Sequence, residues 1–192
     1  PPPQPHRDFR RQRQMCIRDR FIPSFLFVIS CEDNEPKSGD LSINESEPVT
    51  LFINEFLASN DTCCSDEEGE FDDWVELYNS SSNPIDVGGM YVADNLDDDL
   101  YLIPNTNSSQ TTVPANGYLI LWFDKDEDQG AHHIGEKLSA DGEGIYLLSD
   151  STTFIDSLSF GIQESDVSMG RSPDGSDNWV KFTSPTPGAK NN

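Results

Sequence analysis

From position 49 onward the chain is a succession of short β-prone runs in which apolar and polar side chains alternate, each closed by a turn-forming cluster. Two runs set the pattern, Leu51-Phe52-Ile53-Asn54-Glu55-Phe56-Leu57 and Trp74-Val75-Glu76-Leu77-Tyr78-Asn79. Successive side chains leave opposite faces of a pleated backbone, so alternation with period two is the mark of a strand with one buried face. On that basis strands are predicted over 51–57, 74–79, 85–93, 100–103, 118–123, 144–148, 154–160, 167–170 and 179–182. No segment keeps apolar residues at helical spacing for three turns. Asn83-Pro84, Pro114-Ala115-Asn116-Gly117, Asp141-Gly142 and Pro173-Asp174-Gly175 fall between the runs, whereas Gly88-Gly89 falls inside one and predicts a bulge that bends it from sheet to sheet. About seven to nine strands at this spacing predict an all-β fold, a two-sheet sandwich occupying 49–190.

The first 48 residues read differently. Residues 21–30 form a ten-residue apolar stretch, too short to span a bilayer and of the length of a signal-peptide core. It ends in Val28-Ile29-Ser30-Cys31, which resembles a bacterial lipobox and makes Cys31 the expected lipidation site and membrane anchor. Residues 1–20 are rich in Pro and Arg, and Met15-Cys16-Ile17-Arg18-Asp19 resembles a translated sequencing adaptor, so this segment is expected to be foreign to the protein. Residues 32–48 are polar, acidic and rich in Ser, Asn and Pro, as expected of a disordered tether. Glu32-Asp33 directly after the cysteine resembles the surface-export signal of lipoproteins in the Bacteroidota and places the expected location on the outer face of the cell.

Charge narrows the partners. The 192 residues carry a formal charge of −23, with a pI near 4.1. Six of the twelve basic residues lie in 1–20, so the remainder is more acidic still. Such a field repels nucleic acid and anionic lipid, and no nucleic-acid role is expected. Cys16, Cys31, Cys63 and Cys64 lack the spacing of a zinc knuckle or ribbon. The adjacent Cys63 and Cys64 are either free thiols or a vicinal pair.

Six ordered blocks carry a family resemblance: Ile53-Asn54-Glu55-Phe56, Asp73-Trp74-Val75-Glu76-Leu77-Tyr78-Asn79, the stretch from Pro84 to Asp94, Pro114-Ala115-Asn116-Gly117-Tyr118-Leu119-Ile120, Lys137-Leu138-Ser139-Ala140 and Pro185-Thr186-Pro187-Gly188. Their order resembles that of the lamin tail domain family, in its bacterial secreted branch. The resemblance implies an immunoglobulin-like sandwich. Met90 stands where the family commonly has Trp, a change of packing rather than of fold. Nuclear lamins carry this domain after a coiled-coil rod, and no heptad run is present, so a filament role does not carry over.

Candidate chemistry concentrates in Asp66-Glu67-Glu68-Gly69-Glu70-Phe71-Asp72-Asp73, six carboxylates within eight residues. Like charges so close repel unless water or a cation screens them, and hard oxygen donors suit Ca²⁺. The expected ligands are Asp66, Glu68, Glu70 and Asp73, with Glu55 and Glu76 converging on the loop from neighbouring strands. The alternative is a solvated loop, with both strand glutamates facing water beside Trp74 and Tyr78. The loop lacks the residue order of an EF-hand. Asp94 with Asp97-Asp98-Asp99, and Asp124-Lys125-Asp126-Glu127-Asp128, read as solvated turns. His132-His133 is the one histidine pair, and alternation along a strand would let at most one imidazole join a site. Trp74, Trp122 and Trp179 read either as a platform for sugar rings or as core.

Gly-x-Ser-x-Gly, His-Glu-x-x-His, phosphate loops and dinucleotide fingerprints are absent from the sequence. The expectation is therefore a non-catalytic extracellular module of a surface lipoprotein, for binding, adhesion or scaffolding, with a cell-surface protein or polysaccharide as partner. The alternative is an accessory domain of a larger secreted nuclease, phosphatase or spore-coat-kinase-like enzyme cut short at Asn192.

Overall fold

A computed structural model describes residues 49–97 and 100–192. The segment at 1–20, the leader with Cys31 and the tether at 32–48 lie outside the described residues. The two runs that open the domain form the antiparallel pair β1 (Leu51–Leu57) and β2 (Asp73–Asn79), and a register shift between Ile53 and Glu55 sets Glu55 opposite Glu76. There follow β3 (Ile85–Asp86), β4 (Tyr91–Ala93), β5 (Tyr101–Leu102), the single turn α1 (Ser108–Thr111) and β6 (Thr112–Val113). The chain continues through β7 (Gly117–Phe123), β8 (His133–Ile134), β9 (Gly144–Leu148), β10 (Phe154–Ser159), β11 (Ser168–Arg171) and β12 (Trp179–Phe182).

These strands form a six-stranded sheet in the order β12-β11-β1-β2-β7-β8, a four-stranded sheet β10-β9-β4-β5, and the small pair β3-β6. The strand expected over 85–93 is two strands in two different sheets. Between them the Met90 amide donates to the Val87 carbonyl at 3.0 Å and Gly89 takes φ +91°, so the glycine pair makes a turn rather than a bulge. The two-residue strands β6 and β8 were not predicted, since two residues carry no periodicity.

Ile53, Phe56, Val75, Leu77 and Leu121 of the larger sheet share one core with Ile145 and Leu147 of the smaller. Each such side chain, fully buried, contributes on the order of 1.5–3 kcal/mol. A partly buried ion pair ties the layers together. The Arg171 guanidinium of β11 donates to Asp156 of β10 at 3.0 Å and to the Ile53 carbonyl at 2.8 Å, with its plane 4.7 Å above the Trp179 ring.

The outer face of the larger sheet is covered too. Trp74 and Trp122 are cross-strand partners alternating with the core residues Val75 and Leu121, and they pack with Leu57 beneath the loop that carries Cys63 and Cys64. Those cysteines are bonded to one another. A second part of that face, at Glu55 and Glu76, lies under the segment around Thr186 and Gly188.

Candidate metal centre

Glu55 and Glu76 occupy neighbouring positions on that face, as the sequence led one to expect, but both are fully buried rather than facing water. Their oxygens are held by the C-terminal segment instead of the acidic loop. Glu55 accepts from the Thr186 amide at 3.0 Å, the Thr186 hydroxyl at 2.7 Å and the Ser168 hydroxyl. Glu76 accepts from Asn54 Nδ2 at 2.9 Å and from the Gly188 amide at 2.7 Å. Burial pushes the Glu76 carboxyl up to about 8, against the downward pull of those two hydrogen bonds. Gly188 has φ +74°, which lets the chain turn its amide down onto the sheet. The blocks around Asn54-Glu55, Glu76 and Pro185-Thr186-Pro187-Gly188 are thus parts of one hydrogen-bonded joint.

The acidic loop is a separate region. Asp66 is buried, and its Oδ1 accepts the amides of Glu68 and Glu70 at 2.9 and 2.8 Å, folding the loop around Gly69 at φ +87°. Its Oδ2 is buried without a hydrogen-bond donor. Asp66, Glu70 and Asp72 offer oxygens within 4.8 Å of one another. Burial, and then the nearby Asp124, raise the Asp72 carboxyl above its ordinary value. Asp73 accepts the Asn60 amide at 3.3 Å, and burial raises it to about 6. Glu68 is exposed. Of the six expected ligands, Asp66 and Glu70 come together; Glu55, Glu68, Asp73 and Glu76 join none of the groups of clustered ligand atoms among the described residues.

Sequence reasoning missed what stands beside this loop. At the end of β7 the chain leaves through Asp124 and returns to pair parallel with it, Trp122 against His133 and Phe123 against Ile134. The Trp122 amide donates to the His132 carbonyl at 2.9 Å, which pins the histidine pair to the sheet. Gly130 makes the approach feasible, because a Cβ there would stand 2.7 Å from Gln110 Nε2 and 3.2 Å from His132 Cε1. Gln129 Nε2 then donates to Glu70 at 2.8 Å, joining this connection to the acidic loop.

Asp124, read from the sequence as part of a solvated turn, is buried and lies 2.5 Å from His133 Nδ1. An ionised carboxylate only accepts, so this contact puts the proton on Nδ1 and leaves Nε2 with its lone pair. His133 Nε2 lies 4.0 Å from Glu67 Oε2, and His132 Nε2 lies 3.4 Å from the same oxygen. The expectation that only one imidazole faces a given site therefore fails. The alternation rule needs both residues within a strand, whereas β8 begins at His133 and His132 belongs to the preceding turn. The rings sit 4.6 Å apart, centroid to centroid.

These side chains open onto a groove of about 540 Å³, walled in part by Tyr118, Ile120 and Trp122 of β7 and by Ser109. The tryptophans do not form a shared platform: Trp74 and Trp122 are buried and Trp179 packs on Phe56 and Arg171.

Two facing sheets, with the outer face of the larger one covered in part by a loop and by the segment around Thr186, define an immunoglobulin-like sandwich. A family model for the lamin tail domain matches residues 37–161, about two-thirds of the chain, and the chain belongs to that family. No curated protein matches it. The fold is of the binding type and is compatible with a non-catalytic module.

Proposed function

We propose that this chain is a non-catalytic extracellular module, held on a bacterial outer surface by lipid on Cys31, that binds a cell-surface protein or polysaccharide in the groove beside the acidic loop. The groove carries the reading: it is concave, has aromatic and polar walls, and lies on rigid strand and turn backbone at the loop end of the sheet. Calcium belongs to the proposal at Asp66, Glu70 and Asp72, an all-oxygen set that would stiffen one wall of the groove. The acidity of the chain supports a partner that is neutral or basic rather than a nucleic acid.

The test uses the full chain with Cys31→Ala, so that retention on cell envelopes reports the groove rather than the anchor. Ser109→Trp, at an exposed position on the groove wall, is expected to lower that retention at least tenfold. Undiminished retention would remove the groove as the binding surface. Labelled fatty acid should enter the wild-type chain and not Cys31→Ala; equal labelling of both rules out the anchor.

A further inference from the structure

We infer that Glu67, His132 and His133 bind a divalent transition-metal ion of the zinc class, leaving one coordination position open toward the groove. The inference goes beyond the calcium reading, because nitrogen donors suit Zn²⁺, Cu²⁺ or Ni²⁺ and not Ca²⁺.

Three observations carry it. The first is spacing. Two ligands each about 2.0–2.1 Å from a tetrahedral ion stand roughly 3.3 Å apart. Glu67 Oε2 lies 3.4 Å from His132 Nε2 and 4.0 Å from His133 Nε2, and all three ligand atoms lie within 4.8 Å of one another. A carboxylate paired with an imidazole for its own sake closes to about 2.7–2.9 Å. Here both contacts are longer than that, and the Glu67 side chain is 68% exposed.

The second is orientation. A metal-bound histidine characteristically gives its other ring N–H to a carboxylate, which fixes the tautomer and raises the basicity of the ligating nitrogen. Asp124 does this for His133 at 2.5 Å, with its own Oδ1 held by the Asp126 amide at 2.9 Å.

The third is an unmet demand. Asp66, 91% buried, keeps Oδ2 without a donor, and it offers a ligand atom within 4.8 Å of those of His133 and Asp124. Buried carboxylate oxygens without partners are costly, and a cation held at the neighbouring His133 would offset the negative charge that Asp66 and Asp124 bring to that side of the imidazole. With three protein ligands the ion keeps a fourth position for water or for a donor group brought by whatever enters the groove.

The experiment is calorimetric titration of the metal-stripped full chain with ZnCl₂, in a Cys16→Ser, Cys31→Ser background so that free thiolates do not compete. One equivalent should bind with micromolar or tighter affinity, and millimolar CaCl₂ should not displace it. Glu67→Gln, at an exposed position that does not threaten folding, should weaken Zn²⁺ at least tenfold. His132→Asn should do the same, and Asp124→Asn should weaken it roughly 10- to 100-fold. Co²⁺ should give the intense visible absorption of a four- or five-coordinate site, lost in Glu67→Gln. Absence of saturable Zn²⁺ binding, or equal affinity in wild type, Glu67→Gln and His132→Asn, would overturn the site. A wild-type chain that is retained on cell envelopes yet binds no Zn²⁺ would leave the proposed function intact while overturning the metal.

Discussion

Among the described residues, two buried acidic regions are built on opposite principles. At the strap, every oxygen of Glu55 and Glu76 has a donor from the protein itself. At the loop end, Asp66 Oδ2 and His132 Nδ1 are buried with none. A carboxylate that is fully supplied by its own chain is part of the architecture. One that is left short stands beside the proposed cation site. Acidic residues of equal prominence in the sequence thus divide into joint and site according to who donates to them.

That division is sharpest under a change of pH. The Glu76 carboxyl is raised from 4.5 to about 8 by burial, so between those values the folded state holds a proton that the unfolded state has released. The contribution of Glu76 to stability is therefore fully present below about pH 4.5 and is lost as pH rises through about 8, with a slope of up to about 1.4 kcal/mol per unit. Denaturant titrations across this range should show the fall, and Glu76→Gln should flatten it. An unchanged slope in Glu76→Gln would mean that the strap carboxylates are not the source.

Glu55→Ala orphans the Ser168 and Thr186 donors together and should cost about 3 kcal/mol, read as a lower urea midpoint. Asp66→Asn, in metal-free protein, keeps an oxygen for the Glu68 and Glu70 amides and removes a charge that lacks a donor. Its expected effect is within about 1 kcal/mol of zero, by the same measurement. A loss as large as that of Glu55→Ala would erase the contrast between the regions. Glu67→Gln is the smallest, within about 0.5 kcal/mol, as suits an exposed side chain.

Much of the architecture was legible in the sequence. Alternation located the long strands because each has a core face, and Glu55 and Glu76 were correctly made neighbours. Their surroundings were not legible. A period-two pattern says which residues share a face but not whether a distant segment covers it, and Thr186 arrives 131 residues after Glu55. The histidine pair was misjudged for a related reason: a two-residue strand has no period, so its side-chain directions come from the parallel pairing with β7 and the tight approach at Gly130. The signal that was available was an Asp closing a strand nine residues before a histidine. Alone, that spacing says nothing; it gains meaning only once the return path of the chain is known.

The strap also bears on the order in which the fold can be finished. A chain emerging N-terminus first lays down β1 and β2 long before Thr186 and Gly188 exist, so two carboxylates destined for burial stay hydrated until residues 186–188 have been made. Their hydration resists premature closure of that face, and contacts this distant along the chain form slowly in any case. The segment around Thr186 and Gly188 is therefore expected to act as a latch on folding, with that face of the nascent sandwich open and charged until it docks.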